Sequence, residues 1–138
     1  KFYFYIAVAI FTLPNVVFAK SEYIQKGIDL FNKNKFEKAK FKFEQDIVYN
    51  PKSEQSYLYL SKIFNKQNKK DLEEKNLNTV LLLNPLNEEA IYNLAKLKLK
   101  VSDFEESRKL TEKLLKLCVD YCLKSKDLKE EIEKSIKN

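Results

Sequence analysis

Residues 54–87 read EQSYLYLSKIFNKQNKKDLEEKNLNTVLLLNPLN, and this stretch of 34 residues decides the fold. It closes near the dipeptide Asn84-Pro85, and the same dipeptide stands 34 residues earlier at Asn50-Pro51. A residue before proline is pushed out of helical geometry, so each dipeptide predicts the end of a helix. Self-similarity at this period is typical of stacked helix–turn–helix units.

The same period extends in both directions along the chain. In one set of positions spaced by 34 all the residues are large, and in another such set all the residues are small. The large set is Tyr23, Tyr57 and Ile91, and the small set is Gly27, Ser61 and Ala95. The sequence therefore predicts an all-α fold, with helices at about residues 22–33, 36–49, 54–67, 70–83, 88–100 and 104–123.

The composition supports long helices and narrows the possible chemistry. The 138 residues include one glycine, three prolines and no histidine. Strand-rich folds need frequent turns built on Gly, Pro, Asn and Asp, so this scarcity favours helices joined by short turns. Without histidine the chain lacks the usual general base and the commonest metal ligand, and a single Gly27 excludes a glycine-rich phosphate loop. We therefore expect no enzymatic activity, no metal and no cofactor.

With these repeats the chain resembles the tetratricopeptide repeat (TPR) family, whose pattern is W-x2-L-G-x2-Y…A-x3-F…P. Three units match it, at about residues 20–53, 54–87 and 88–121. The matching residues are Tyr23, Gly27, Leu30, Ala39, Phe43 and Pro51, then Tyr57, Leu60, Ser61, Phe64, Leu77 and Pro85, then Ile91, Leu94, Ala95 and Ser107. The resemblance implies an α–α superhelix of three TPR helix hairpins, in one domain over residues 20–138.

Several positions depart from the TPR pattern. Lys26, Lys98 and Thr111 replace apolar or aromatic residues, and Val119 stands where a third proline would be. Glu73 occupies the slot of a small residue. Because a carboxylate there would crowd a contact between helices, we expect its side chain to tilt outward.

The exposed end of the last hairpin needs a cover. Residues 127–137 predict a C-terminal capping helix, opened by a capping box of Asp127 and Glu130. Leu128, Ile132 and Ile136 form its inner apolar stripe. On its outer face, Glu130–Lys134 and Glu133–Lys137 are i,i+4 ion pairs.

Residues 1–19 are typical of a secretory signal peptide. A basic Lys1 precedes an apolar run, and Val17 and Ala19 are the small residues expected before a cleavage site. The alternative is an uncleaved membrane anchor, because the apolar segment is near the lower limit of the roughly 17–25 residues that a spanning helix needs. Under either interpretation we expect an exported chain, periplasmic or associated with the membrane and facing the periplasm.

Cys118 and Cys122 are the only cysteines of the chain. They continue an apolar stripe on the sixth predicted helix, and i,i+4 side chains of a regular helix fit a disulfide poorly. We therefore expect buried thiols, with a strained or intermolecular disulfide as the alternative. The C-x3-C spacing matches neither the C-x2-C redox motif nor a zinc site.

The formal net charge is +6, and the lysines are spread along every helix among acidic residues. This distribution indicates a solvated helical surface with some preference for acidic partners. We expect no nucleic-acid partner, because an exported chain does not meet nucleic acid and no stacked platform of aromatic and basic residues is recognisable.

The resemblance also implies where a ligand would bind, because the first helices of TPR hairpins line a concave groove. The expected groove residues are Gln25, Ile28, Asn32, Tyr59, Lys62, Lys66, Tyr92, Asn93 and Lys96. Rings, amides and ammonium groups on one surface suit the capture of a peptide. Some TPR co-chaperones hold a terminal carboxylate with a clamp of lysine and asparagine side chains. In this chain Ile24 and Ile28 occupy the positions of that clamp. We therefore expect no such clamp, and with Phe31 these residues favour an apolar partner.

Together these features predict an adaptor of the bacterial cell envelope that holds a peptide or helix of a partner protein in its groove. We expect a monomer or weak homo-oligomer, with a membrane close to the N-terminal segment. The alternative is a structural protein that self-associates through the exposed ends of the superhelix. An enzyme would instead require a deep pocket with converging polar groups.

Overall fold

The computed structural model describes residues 22–137, which form seven α helices joined by short turns. The helices are α1 (Glu22–Asn32), α2 (Phe36–Tyr49), α3 (Glu54–Lys66), α4 (Lys70–Leu83), α5 (Glu88–Lys100), α6 (Phe104–Leu117) and α7 (Cys122–Lys137). The signal or anchor segment expected at residues 1–19 lies outside the described residues. Within the described range, every helix is too short or too polar to cross a bilayer.

Consecutive helices pair as hairpins, α1 with α2, α3 with α4 and α5 with α6. Each hairpin packs on the next through α2 against α3 and α4 against α5, and α7 covers the last hairpin by packing mainly against α6. The predicted all-α superhelix of three helix hairpins with a C-terminal capping helix is therefore confirmed.

The turn within each hairpin has the same backbone conformation. Asn34, Asn68 and Ser102, spaced by the period of 34, adopt left-handed φ angles of 56°, 55° and 63°. The residue after each one donates its backbone N–H to a carbonyl five residues earlier at 2.9 Å, as in a Schellman motif. Asparagine tolerates this conformation better than most residues, which explains the residue type at two of the three positions.

The second helices end where the Asn-Pro dipeptides predict. α2 ends at Tyr49 and α4 at Leu83, the residue before each asparagine. Each asparagine then donates its backbone N–H to the fourth residue back, Asp46 or Val80, at 2.7 Å. The proline that follows cannot continue the helix, so the chain turns into the next hairpin.

Small residues allow the helices to approach closely. Gly27, Ser61 and Ala95 are all buried, as the periodic pattern predicts. Gly27 has the least room, because an added Cβ would lie 2.6 Å from Cε1 of Phe43. α1 and α2 therefore approach so closely that only glycine fits at position 27 beside this aromatic ring.

The buried apolar side chains form two clusters along the repeats. The first joins α2 to α3 and consists of Ala39, Phe43, Leu60, Ile63 and Phe64. The second runs from α3 to α7 and includes Leu58, Leu77, Ile91, Leu94, Leu114, Leu128 and Ile132. Tyr57 packs against this second cluster, and the ring of Tyr23 stacks on that of Tyr49 with centroids 5.5 Å apart.

The chain between the last hairpin and the cap differs from the prediction. α6 ends at Leu117 instead of near residue 123, because Cys118 adopts a left-handed φ of 44°. α7 begins at Cys122, so Asp127 and Glu130 lie within it and form no capping box at its start. The predicted boundaries are wrong here because the break carries neither the proline nor the glycine that usually marks one.

Cys118 and Cys122 form a disulfide across this break, with their Cα atoms 4.7 Å apart. The prediction of buried thiols is wrong because the two cysteines flank a turn and do not share one helix. Cys118 is exposed and Cys122 is only half-buried. The bond therefore ties the first residue of α7 to the end of α6.

The inner face of α7 is shorter than the predicted stripe. Leu128 and Ile132 are buried, whereas Ile136 is exposed. On the outer face, Nζ of Lys134 lies 3.9 Å from a carboxylate oxygen of Glu130. The cap is held by two apolar contacts near its middle and by the disulfide at its start.

Candidate binding groove

The first helices of the three hairpins enclose a cavity of about 280 Å³. It is lined by residues of α1, α3, α4 and α5, namely Phe31, Ser61, Lys62, Asn65, Lys66, Glu73, Tyr92, Asn93 and Lys96. We call this the groove cavity. Its polar groups are three ammonium groups, two amides, two hydroxyls and one carboxylate, set between aromatic rings.

Five of the nine residues expected in the groove line this cavity. They are Lys62, Lys66, Tyr92, Asn93 and Lys96. They come from two helices whose equivalent positions are related by the 34-residue period, so the structure brings together residues that are far apart in sequence.

The other four expected residues lie elsewhere on the surface of α1 and α3. Gln25 donates a 3.3 Å hydrogen bond to Asp29, and Asn32 is exposed at the end of α1. Ile28 is half-buried against the first apolar cluster. Tyr59 touches the cavity only indirectly, because its ring packs against a lining ring, that of Phe31, with centroids 5.2 Å apart.

The three apolar residues of α1 that favoured an apolar partner differ in how far they are buried. Ile24 is 6% exposed and is not available to a ligand. Ile28 is half-buried, and only Phe31 lines the groove cavity. Because Ile24 is buried, these three residues do not present one exposed apolar surface to a partner.

Four lining residues, Phe31, Ser61, Asn65 and Glu73, are absent from the expected set, and Glu73 is the one whose orientation was predicted wrongly. It is 3% exposed and does not tilt outward as expected; Nδ2 of Asn65 donates a 2.8 Å hydrogen bond to its Oε1. Burial raises the pKa of Glu73, against the opposing effects of the Asn65 hydrogen bond and the charge of Lys100. The sequence did indicate that this position is buried, because the equivalent residues in the other hairpins are small.

The lysines of the groove cavity differ in how they are neutralised. Nζ of Lys62 lies 2.6 Å from Oε1 of Glu89 and 4.7 Å from the ring centre of Tyr59. Lys66 and Lys96 instead lie over the rings of Phe36 and Tyr92. Among residues 22–137, neither of these two ammonium groups has a carboxylate within 4.0 Å. They are available to an anionic ligand.

A second cavity of about 530 Å³ continues the groove toward the cap. It shares Asn65 and Lys96 with the groove cavity and reaches Glu131 and Ser135 of α7. The two cavities are therefore adjacent. Within residues 22–137 there is no cluster of three or more His, Cys, Asp or Glu side chains that could hold a metal ion.

Comparisons with known proteins show the fold but no close relative. The sequence matches no protein-family model and no curated protein. Among solved structures, the chain is similar to the first TPR of Spaghetti (RPAP3) bound to the HSP90 peptide SRMEEVD. This likeness has a TM-score of 0.77 and 16% identity, and covers 84% of this chain and 91% of that one.

Two further structures are similar over most of their length. The TPR2B domain of yeast Sti1, solved in an Hsp70 complex, has a TM-score of 0.76 and 13% identity, covering 82% of this chain and 94% of that one. The type III secretion translocator chaperone SycD of Yersinia enterocolitica has a TM-score of 0.77 and 12% identity, covering 84% of each chain. The described chain is therefore a TPR-like protein, with the fold of a tetratricopeptide repeat domain.

Proposed function

We propose that this chain is a protein–protein interaction module whose groove binds an acidic peptide or helix of a partner protein. The observation that carries the proposal is the groove cavity, where Lys66 and Lys96 present unpaired ammonium groups beside the amides of Asn65 and Asn93. Ammonium groups recognise carboxylates, and amides satisfy the backbone of an extended or helical segment.

The similar structures support a peptide-binding role without defining the ligand. Spaghetti is bound to an HSP90 peptide with two adjacent glutamates and a terminal aspartate. In this chain the buried Ile24 and half-buried Ile28 replace the clamp expected on the first helix of such co-chaperones. The free ammonium groups lie on α3 and α5 instead, so we infer that the acidic part of the ligand sits nearer the middle of the groove.

The cellular setting is a separate part of the proposal. A basic residue, an apolar run and small residues before Lys20 support export, so we place the partner in the cell envelope. Fractionation of cells that express the full chain tests this point. Recovery in the cytosolic fraction at full length would contradict it and would leave the groove proposal intact.

The groove proposal is tested by reversing its free charges. Lys66→Glu with Lys96→Glu should abolish binding of a fluorescent acidic peptide, measured by anisotropy, and crosslinking of partners in envelope extract. The matched control is Lys75→Glu with Lys116→Glu, which changes the net charge equally at exposed positions of α4 and α6. Equal binding by both double variants would refute the assignment of the groove.

A second candidate function is self-association through the end of the superhelix. The first hairpin carries an apolar hollow of about 410 Å³ lined by Leu30 and Phe41, and the Phe41 ring is 57% exposed. If a second copy covers this hollow, light scattering should show a dimer that Phe41→Ser disrupts. A monomer at high protein concentration would eliminate this candidate.

A further inference from the structure

The turns that connect successive hairpins lie along one edge of the superhelix, where glutamates accept hydrogen bonds from them. Glu54, the first residue of α3, accepts hydrogen bonds from the side-chain amides of Asn84 and Asn87. Glu88, the first residue of α5, accepts backbone N–H bonds of 2.7–3.0 Å from residues 119–121. We call this side the turn edge, and it comprises residues 48–54, 82–88 and 117–123.

The turn edge carries the most exposed large apolar side chains of the described chain. Six of them are 63–83% exposed, namely Val48, Tyr49, Leu82, Leu86, Val119 and Leu123. We call this set the apolar ridge. The other exposed large apolar side chains within residues 22–137 are 57% exposed or less. Single exposed apolar residues are ordinary, but their concentration on one edge marks an interaction surface.

The opposite edge has a different character. It is formed by the turns within the hairpins, at residues 33–35, 67–69 and 101–103, which consist of Lys, Asn, Gln, Ser, Asp and one valine. The apolar ridge is therefore a property of one edge and not of turns in general.

α1 begins at the turn edge. Tyr23, in the first turn of α1, stacks on Tyr49 of the apolar ridge with ring centroids 5.5 Å apart. The apolar segment Phe2–Ala19 is separated from α1 by only Lys20 and Ser21. The most apolar stretch of the sequence thus joins the domain beside the apolar ridge.

We propose that the turn edge rests on a membrane surface, with the apolar ridge inserted between lipid headgroups and acyl chains. The six side chains of the ridge lie at the ends of α2, α4 and α7 and in two turns, and the interfacial region of a bilayer can accept such separate apolar side chains. Tyr49 has the amphipathic ring that favours such interfaces. Of the three acids of this edge, Glu54 and Glu88 are engaged in hydrogen bonds and Asp120 is exposed, while exposed Lys52 can face anionic headgroups.

This placement orients the groove. α1, α3 and α5 all begin at the turn edge, so they extend away from the membrane, and the groove cavity between them stands clear of the lipid. The proposal is independent of which peptide the groove binds, and it holds equally if the groove is empty.

Tryptophan reporters test the proposal, because the chain contains no natural tryptophan. Leu82→Trp and Val119→Trp place the reporter on the apolar ridge, and Lys69→Trp places the control on the opposite edge. Each full-length variant is reconstituted into vesicles of phosphatidylethanolamine and phosphatidylglycerol, with and without brominated acyl chains. We expect a blue shift and strong bromine quenching for both ridge reporters and neither effect for Lys69→Trp. Adding Val48→Ser and Val119→Ser to the Leu82→Trp variant should weaken its quenching.

Three results would overturn the proposal. Unquenched ridge reporters would show that the edge does not touch lipid. Equal quenching of Lys69→Trp would show adsorption without the proposed orientation. A blue shift of the ridge reporters that rises with protein concentration in the absence of lipid would assign the apolar ridge to a second copy of the chain.

Discussion

The hydroxyl of Ser56 donates a 2.6 Å hydrogen bond to Oδ2 of Asp46, across the boundary between the first and second hairpins. Both side chains are fully buried, and the hydroxyl of Ser53 donates in turn to Ser56 at 3.1 Å. The other carboxylate oxygen of Asp46 has no partner within the described chain. The equivalent residues of the next two hairpins are apolar, Val80 and Leu114, so this polar contact is particular to the first junction.

Ser56→Ala should lower the free energy of unfolding by about 1–3 kcal/mol, because it leaves a buried carboxylate without its donor. Urea denaturation at neutral pH measures the change. The double variant Asp46→Val, Ser56→Ala should recover much of the loss, because replacing a whole buried polar pair by apolar groups is often neutral. A Ser56→Ala variant as stable as the parent would show that the hydrogen bond contributes nothing.

Gly27→Ala tests the close contact in the first hairpin. Alanine is favoured over glycine in a helix by about 1 kcal/mol, but its Cβ would lie 2.6 Å from the ring of Phe43. Overpacking of a core typically costs about 1–3 kcal/mol, so we expect net destabilisation in thermal or urea unfolding. The second variant Gly27→Ala, Phe43→Leu should be more stable than the single one, since the second hairpin pairs Ser61 with Leu77. A single variant more stable than the parent would contradict this packing.

Local sequence signals predicted the hairpins well, because each rests on short-range stereochemistry. Asn50-Pro51 and Asn84-Pro85 end helices whatever surrounds them, and Gly27 has the small side chain that its contact requires. Position 118 shows the limit of this reasoning. A cysteine takes the left-handed conformation there, and the turn is stabilised by Glu88, 30 residues earlier, so the break depends on a tertiary contact that no local pattern reveals.

The groove was predicted only in part for a related reason. Lys62, Lys66 and Lys96 could be placed because a helix position fixes the side of the helix on which a side chain lies. Ile24 and Glu73 were expected to be more exposed than they are, because the burial of a helix position depends on how closely two helices approach. That distance depends on side-chain volumes across the contact and is not a property of either helix alone.

The disulfide should make a modest contribution to stability. Because the loop it closes between Cys118 and Cys122 is short, chain entropy limits its contribution to about 2 kcal/mol. The variant Cys118→Ser, Cys122→Ser should therefore unfold at lower urea concentration but keep α7 docked through Leu128 and Ile132, which are buried. Hydrogen exchange of the α7 amides measures docking. Complete loss of protection in α7 would show that the disulfide, and not the apolar contact, holds the cap.

Glu88 should make the turn at residues 118–121 sensitive to acid. The hydrogen bond from the backbone N–H of Val119 has the largest effect on the pKa of this carboxyl, and together with those from Asp120 and Tyr121 it holds the pKa below its usual range, against the opposing effect of desolvation. Because the folded-state pKa is lowered, the stabilisation is present above the unfolded-state pKa of about 4.3 and is lost as pH falls through the folded value.

The measurement is hydrogen exchange or urea unfolding of the parent and of Glu88→Gln across this acidic range. The variant should be less stable at neutral pH and should lose less stability on acidification. Glu105→Gln, at an exposed position of α6, is the matched control and should behave as the parent does. Parallel pH profiles of the parent and Glu88→Gln would refute the role of this carboxylate.

Glu73 should respond to pH in the opposite direction. Burial raises the pKa of its carboxyl, so the folded state binds more protons than the unfolded state between the unfolded-state value and the raised one. Stability therefore falls as pH rises through that window, and Glu73→Gln should be more stable than the parent at neutral pH, because the amide still accepts the hydrogen bond from Asn65. The same change removes a negative charge beside Lys66 and Lys96, so it should also tighten binding of an acidic peptide. Unfolding and peptide anisotropy measured on one preparation separate the two effects, and a Glu73→Gln variant that is both less stable and a weaker binder would show that the buried charge supports the groove.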